Sequence, residues 1–396
     1  MGKRFNLIYI IVGLLVLLIF VFIFIKFSKY HYGYFKSVAN LGFNHPDADA
    51  FLLNNKRILI LGDSFNNIPS EIYDINSKSV NIYKIQQNIY YAPEGILLDN
   101  NKLFLLRTCI DKNCGYSINY DLNNNKVEYI YNSTFNIGNV NLNNILQNYI
   151  LLNNNIIFYI SYKSNTNQSE IGIFETKQKQ KHCFITNENL SNAKSVQIDD
   201  NNIFIITINN AYIYNIKNSK LNKLDFPYSK LFNPVNNNQR ITHLVGLKDK
   251  ILIFVYLTND KYKDYNLTLS FDLNTHQFNK LSSSPILRDY NIMDLNYISN
   301  IIQLNDKQIL INGGVANIGK IGALFGGHYK FINSNEIYDI RKNEFYKIIN
   351  MPYAKFGHRA IWMNNKEVLL IGGITKRVIG SIYNDETNKI IKFKIF

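Results

Sequence analysis

The apolar residues of this chain fall into short runs separated by Asn, Asp and Lys. From Phe51 the order is FLLNNKRILILGD: an apolar stretch, a polar turn, a second apolar stretch. It returns as ILLDNNKLFLLRT from Ile96, as ILLNNNIIFYIS from Ile150, and again from Val196, Leu244 and Ile301. The last copy is AIWMNNKEVLLIGG from Ala360. The turn residues Asn55, Asn101, Asn155, Asn202, Asp249, Asp306 and Asn365 stand in register, 46 to 59 residues apart. Asn and Asp tolerate the left-handed backbone of a tight turn, so each unit predicts a β-hairpin.

A second pattern follows in each unit. An aromatic or large residue precedes Asp, Asn or Glu, and an apolar residue comes six positions later. The series is Tyr73-Asp74 with Val80, Tyr120-Asp121 with Val127, Phe174-Glu175 with Lys181, and Tyr214-Asn215 with Leu221. It continues with Phe271-Asp272 and Phe278, Tyr338-Asp339 and Phe345, and Tyr383-Asn384 and Ile390. Only the third unit breaks the pattern, at Lys181. Two hairpins per unit make four strands. Seven such units, each unable to bury both faces alone, predict an all-β, seven-bladed propeller over residues 50–396.

Ahead of the repeats, Leu7–Ile25 is 19 residues without a charge, flanked by Lys3, Arg4, Lys26 and Lys29. At about 1.5 Å per residue a helix of that length spans a hydrocarbon core. It exceeds the apolar region of a cleaved signal peptide. The expected organisation is an N-terminal transmembrane anchor (1–27), a linker (28–49) and the propeller, in a single-pass membrane protein with the propeller on the extracytoplasmic side.

The formal net charge of +14 changes this picture little. The lysines are scattered through turns, and no nucleic-acid-binding module is recognisable, so no nucleic acid is expected. The seven histidines include no pair at a ligand spacing such as H-x-H. No catalytic residue, metal or cofactor is assigned. Cys183, in KHCFI, reads as a packed strand residue. Cys109 and Cys114 flank a short loop and would pair as a disulfide in an oxidising compartment.

Units six and seven resemble kelch repeats. They carry Gly313-Gly314, Tyr338-Asp339, Phe345 where that family usually has Trp, Met351-Pro352, Gly357-His358-Arg359 and Gly372-Gly373. Unit one keeps Gly62-Asp63 and Tyr73-Asp74; units two to five lack the diglycine. The resemblance implies close backbone packing at the diglycine and a structural role for His358.

Function on such a scaffold concentrates on the longer loops, which join second to third strands and one blade to the next. These loops include residues 107–116 and 312–334. The expected binding residues on this face are Arg107, Arg240, Arg288, Lys320, His328, Tyr329 and Arg377. Arg359 also falls near it, and arginine forks suit carboxylates. The glycine-rich stretch around Gly319-Lys320-Ile321 approaches a phosphate-binding loop but lacks the Ser or Thr that would hold magnesium. The expected function is a binding module that captures a protein or glycan. The alternative is a carbohydrate-active enzyme resembling kelch-type sialic acid epimerases. A funnel lined by convergent Arg, Glu and His side chains would favour the alternative.

Overall fold

The computed structural model describes residues 12–20, 33–45, 49–54, 56–62, 67–85, 89–91, 95–98, 101–110, 113–131, 148–153, 155–163, 166–227, 238–258, 264–286, 301–317, 329–355, 357–363, 366–373 and 388–395. The first hairpin of all seven units is present, and the chain forms a seven-bladed β-propeller. Blade one is Ala50–Leu52, Arg57–Ile60, Ser70–Asp74 and Val80–Tyr83, antiparallel and in chain order. Blades three, four and five repeat that order, beginning at Asn148, Lys194 and Asn238. In blade two the first strand is split into Ile89–Tyr91 and Gly95–Leu98. In blade six a two-stranded ribbon, Val315–Asn317 with Tyr329–Phe331, rises between the second and third strands.

Blade seven departs from the expected plan. Its first three strands are Arg359–Met363, Glu367–Ile371 and Lys389–Lys394, and its fourth is the N-terminal strand Tyr34–Asn40. The segment expected as linker therefore supplies a strand that closes the ring. Val368 faces Phe393, as Ile58 faces Tyr73 and Ile309 faces Tyr338. Phe393-Lys394 thus takes the place assigned to Tyr383-Asn384, which lies outside the described residues. The same pairings show that the turn residues align only to within one or two positions: Asn101, Asn155 and Asp249 correspond to Lys56 and Lys366, whereas Asn55 and Asn365 fall one residue earlier.

The core follows from the strand composition. Second strands are apolar on both faces because a blade is covered on both sides: Ile58, Leu59, Ile60 and Leu61 have no exposed surface. Burying such a side chain is worth about 1.5–3 kcal/mol. The described buried apolar residues form seven clusters, one between each pair of neighbouring blades. One of them joins Ile361, Leu369, Ile371 and Ile390 of blade seven to Ile58, Ile60 and Tyr73 of blade one. Fourth strands are half-exposed. That is why Cys183, on the fourth strand of blade three, is exposed and not packed.

Where the second hairpin carries Asp, that residue has a defined task. Asp74 Oδ1 accepts the backbone N–H groups of Asn76 (2.9 Å) and Ser77 (2.8 Å). Asp121, Asp272 and Asp339 do the same with the second and third residues after them. Four residues after the turn acid or its equivalent, Lys78, Asn125, Lys179, Ser219, His276 and Asn343 all adopt positive φ. These hydrogen bonds, the Ser77 and Thr275 backbone N–H groups foremost, hold the Asp74 and Asp272 carboxyls below their usual range.

Within the expected anchor, residues 12–20 form a helix with every side chain exposed. Among the described residues no helix is long and apolar enough to cross a membrane.

Candidate site at the mouth of the central channel

The first strand of each sheet is its innermost strand, and first strands of neighbouring blades touch one another around the axis. The start of each first strand therefore lies at the loop end of the channel. Counting from the pairing with the second strand, one position can be followed from blade to blade. Asp49 follows this alignment through the bond from Leu61 N–H to its carbonyl (2.9 Å), Lys194 faces Ile206, His243 faces Phe254 and Arg359 faces Ile371. Each partner is three residues past the second-strand residue that faces the hairpin aromatic. In blade three Asn148 holds this place, facing Ile160. The corresponding residues of blades two and six, Glu94 and Asn300, are outside the described residues.

Equivalent backbone positions thus present an acid, a lysine, a histidine and an arginine to one space. Asp49 and Arg359, from neighbouring blades, pair at 2.8 Å, and Asp49 also accepts the Gly95 N–H at 2.8 Å. Burial pushes the Asp49 carboxyl up, opposed by the Arg359 guanidinium. Burial pushes Lys194 down. Burial, then the charges of Lys194 and Arg359, push His243 down to about 4. His243 belongs to blade five and Arg359 to blade seven, so this repulsion acts across the channel. At neutral pH the imidazole is uncharged and within electrostatic reach of two cations. A β-bulge lies at Thr242, immediately before His243.

Four residues before Asp49 and Arg359 stand His45 and Lys355, fully buried. Lys355 Nζ donates to the carbonyls of Gly372 and Lys389, each at 2.7 Å. His45 places Nδ1 3.1 Å from the Leu61 carbonyl and Nε2 2.7 Å from Glu71. The Glu71 carboxylate also accepts Gly42 and Phe43 N–H groups. These groups fix the chain just before the mouth, and their polar atoms are satisfied within the scaffold.

The two diglycines end second strands at the same level. Gly313 has φ 58, and a Cβ there would lie 2.4 Å from the Lys355 carbonyl oxygen, so glycine is required. His358 bonds Asn312, and burial pushes it down to about 3. It is fully buried beside the diglycine.

Of the expected binding residues, Arg107 lies in the strand Lys102–Ile110, a stretch expected as loop. Arg240 lies in Asn238–Gly246, opposite Tyr256 and three residues outward of His243. Tyr329 lies in the ribbon of blade six, opposite Asn317. Arg288, Lys320, His328 and Arg377 are outside the described residues. Cys109 and Cys114 are direct cross-strand partners. Asp49, Lys194 and His243 escape the sequence reading, because single ionisable residues dozens of positions apart look like scatter. Aligning the units on the second-strand residue that faces the hairpin aromatic would reveal them. Among the described residues no group of three His, Cys, Asp or Glu is placed to hold a metal.

No family model matches this sequence, and no curated protein matches it. Among solved structures, "Structure of YjhT" is similar at TM-score 0.45 and 9% identity, over 89% of this chain and 95% of that one. A likeness of that degree carries no functional information.

Proposed function

We propose that this chain is a membrane-tethered, kelch-like binding propeller that takes a carboxylate-bearing glycan at the mouth of its channel. The observation that carries the reading is the convergence of Asp49, Lys194, His243 and Arg359 from equivalent positions of four blades. A carboxylate placed there would accept charge-assisted hydrogen bonds from Lys194 and Arg359. Charge-assisted hydrogen bonds of this kind are roughly twice as strong as neutral ones. Leu7–Ile25 supplies the anchor, and the propeller stands outside the cytoplasm. There the opposed Cys109 and Cys114 form a disulfide, which mass mapping of the unreduced protein would reveal.

The test is calorimetric titration of the full-length protein in detergent with acidic and matched neutral sugars. Acidic sugars bind, and Lys194→Ala weakens them about tenfold or more, equivalent to roughly 1.4 kcal/mol. Equal affinity for neutral sugars, or none for acidic ones, overturns the reading.

One observation favours the enzymatic alternative as a second reading. An imidazole kept uncharged near two cations retains a lone pair that can accept a hydrogen bond from a sugar hydroxyl and orient it, as a sugar-converting site requires. Exchange spectroscopy on a bound acidic sugar, compared with His243→Gln, separates turnover from binding.

A further inference from the structure

The polarity of the closing strand fixes which face of the propeller meets the membrane. Tyr34 pairs with Lys394, and Lys394 pairs with Glu367 beside the tight turn of blade seven. The chain therefore enters the propeller at the tight-turn face and runs toward the loop face, reaching it at Asn40. The arrival point is seated firmly. Gly33 has φ 141, and a Cβ there would lie 2.1 Å from the Lys394 carbonyl oxygen and 2.9 Å from the Phe393 ring.

Chain length limits the geometry further. From Ile25 to Gly33 there are eight residue steps, at most about 28 Å when fully extended. The closing strand has seven residues, so it covers about 23 Å of propeller thickness. A tether that had to climb that thickness from the edge of blade seven, and clear the loops beyond, would have almost no length left. The tight-turn face can reach the bilayer without strain; the loop face cannot lie on it.

The charges of the tight-turn face agree with this orientation. Four of its acids are occupied: the Asp74, Asp121, Asp272 and Asp339 carboxylates accept the backbone N–H groups of their own turns, while Asp200, Asp249 and Asp306 stand exposed. Its lysines stand at the tips. Lys56, Lys78, Lys179 and Lys366 sit at exposed positive-φ positions, with Lys307 and Lys342 exposed on neighbouring turns. Lysines held near an anionic surface are drawn to it, within about a Debye length.

We infer that the tight-turn face is the membrane-facing surface, lying against anionic phospholipid headgroups, and that the channel mouth opens away from the bilayer. This rests on the reading of Leu7–Ile25 as an anchor, so the experiment separates the two. The full-length protein is reconstituted in nanodiscs with about 30% anionic lipid, together with a headgroup-photoreactive lipid, and crosslinked peptides are mapped. Flotation with liposomes in high salt is measured in parallel.

Crosslinks on peptides carrying Lys56, Lys78, Lys179 and Lys342, and none on the ribbon of blade six, are expected. Replacing Lys56, Lys78, Lys179 and Lys366 by Glu should lower crosslink yield several-fold in anionic discs and leave it unchanged in zwitterionic ones. Failure to float would remove the anchor and the orientation with it. Flotation with crosslinks on loop-face peptides would overturn the orientation alone. Equal yields for the quadruple variant in anionic discs would overturn the headgroup contact.

Discussion

The two faces of this propeller use the same chemistry in opposite ways. On the tight-turn face the acids repeat: Asp74, Asp121, Asp272 and Asp339 all sit at one place and all accept the same two backbone N–H groups. On the loop face one backbone position diverges into Asp49, Lys194, His243 and Arg359. Repetition marks a demand of the backbone, which is identical in each blade. Divergence at an equivalent position marks freedom from that demand, where a ligand can dictate the residue.

The comparison breaks most visibly at Arg359. This residue belongs to the divergent set yet also joins blade seven to blade one. Arg359→Ala leaves the Asp49 carboxylate, only 7% exposed, without its cation; about 3 kcal/mol of stability should be lost. Urea unfolding of the variant checks this, and a loss near zero would make the pair a surface ornament of the mouth.

Next in size is the pH response. The folded state holds His243 near 4, against an ordinary value of 6.5. The unfolded chain takes up a proton in that window and the folded chain does not. Stability is therefore complete above about pH 6.5 and falls as pH drops toward 4. His243→Gln should flatten that slope by about one kcal/mol per pH unit. An unchanged slope would place His243 in ordinary water.

Asp339→Ala probes the repeating face. It removes the acceptor of the Arg341 and Lys342 N–H groups and should cost about 1 kcal/mol without any change in ligand affinity. The smallest expected effect on folding is at Lys194. Lys194→Ala should change stability by less than about 1 kcal/mol, while affinity for acidic sugars falls about tenfold or more. A large loss of stability in Lys194→Ala would class it with the scaffold and dissolve the contrast between the faces.

How much of this could be read beforehand follows the same division. The hairpins were legible because the backbone repeats its solutions: apolar runs in all seven units, a residue at positive φ in the second turn of six, and an Asp holding that turn in four. The closing strand was not. Tyr34–Asn40 carries Lys36, Ser37 and Asn40 on an outer edge that water covers, so it lacks the apolar density of the inner strands. Tyr383-Asn384 imitated the hairpin signal, whereas Phe393 occupies the structural place without an acid after it. The channel mouth was illegible for the converse reason: its residues share a position and no chemistry. Arg359 alone attracted notice, because it follows Gly357-His358.

Closure of the ring by Tyr34–Asn40 also orders events in time. The strand that completes blade seven is made before the other six blades, and its partner Lys389–Lys394 after them. While those blades are made, the early strand has an unpaired edge and no neighbour. Bringing such distant segments together costs roughly 5 kcal/mol of chain entropy by itself. The six blades between them must therefore stack before the seventh can form. Lys389–Lys394 acts as the fastener for the whole ring, and a chain that breaks off before it leaves a ring that cannot shut.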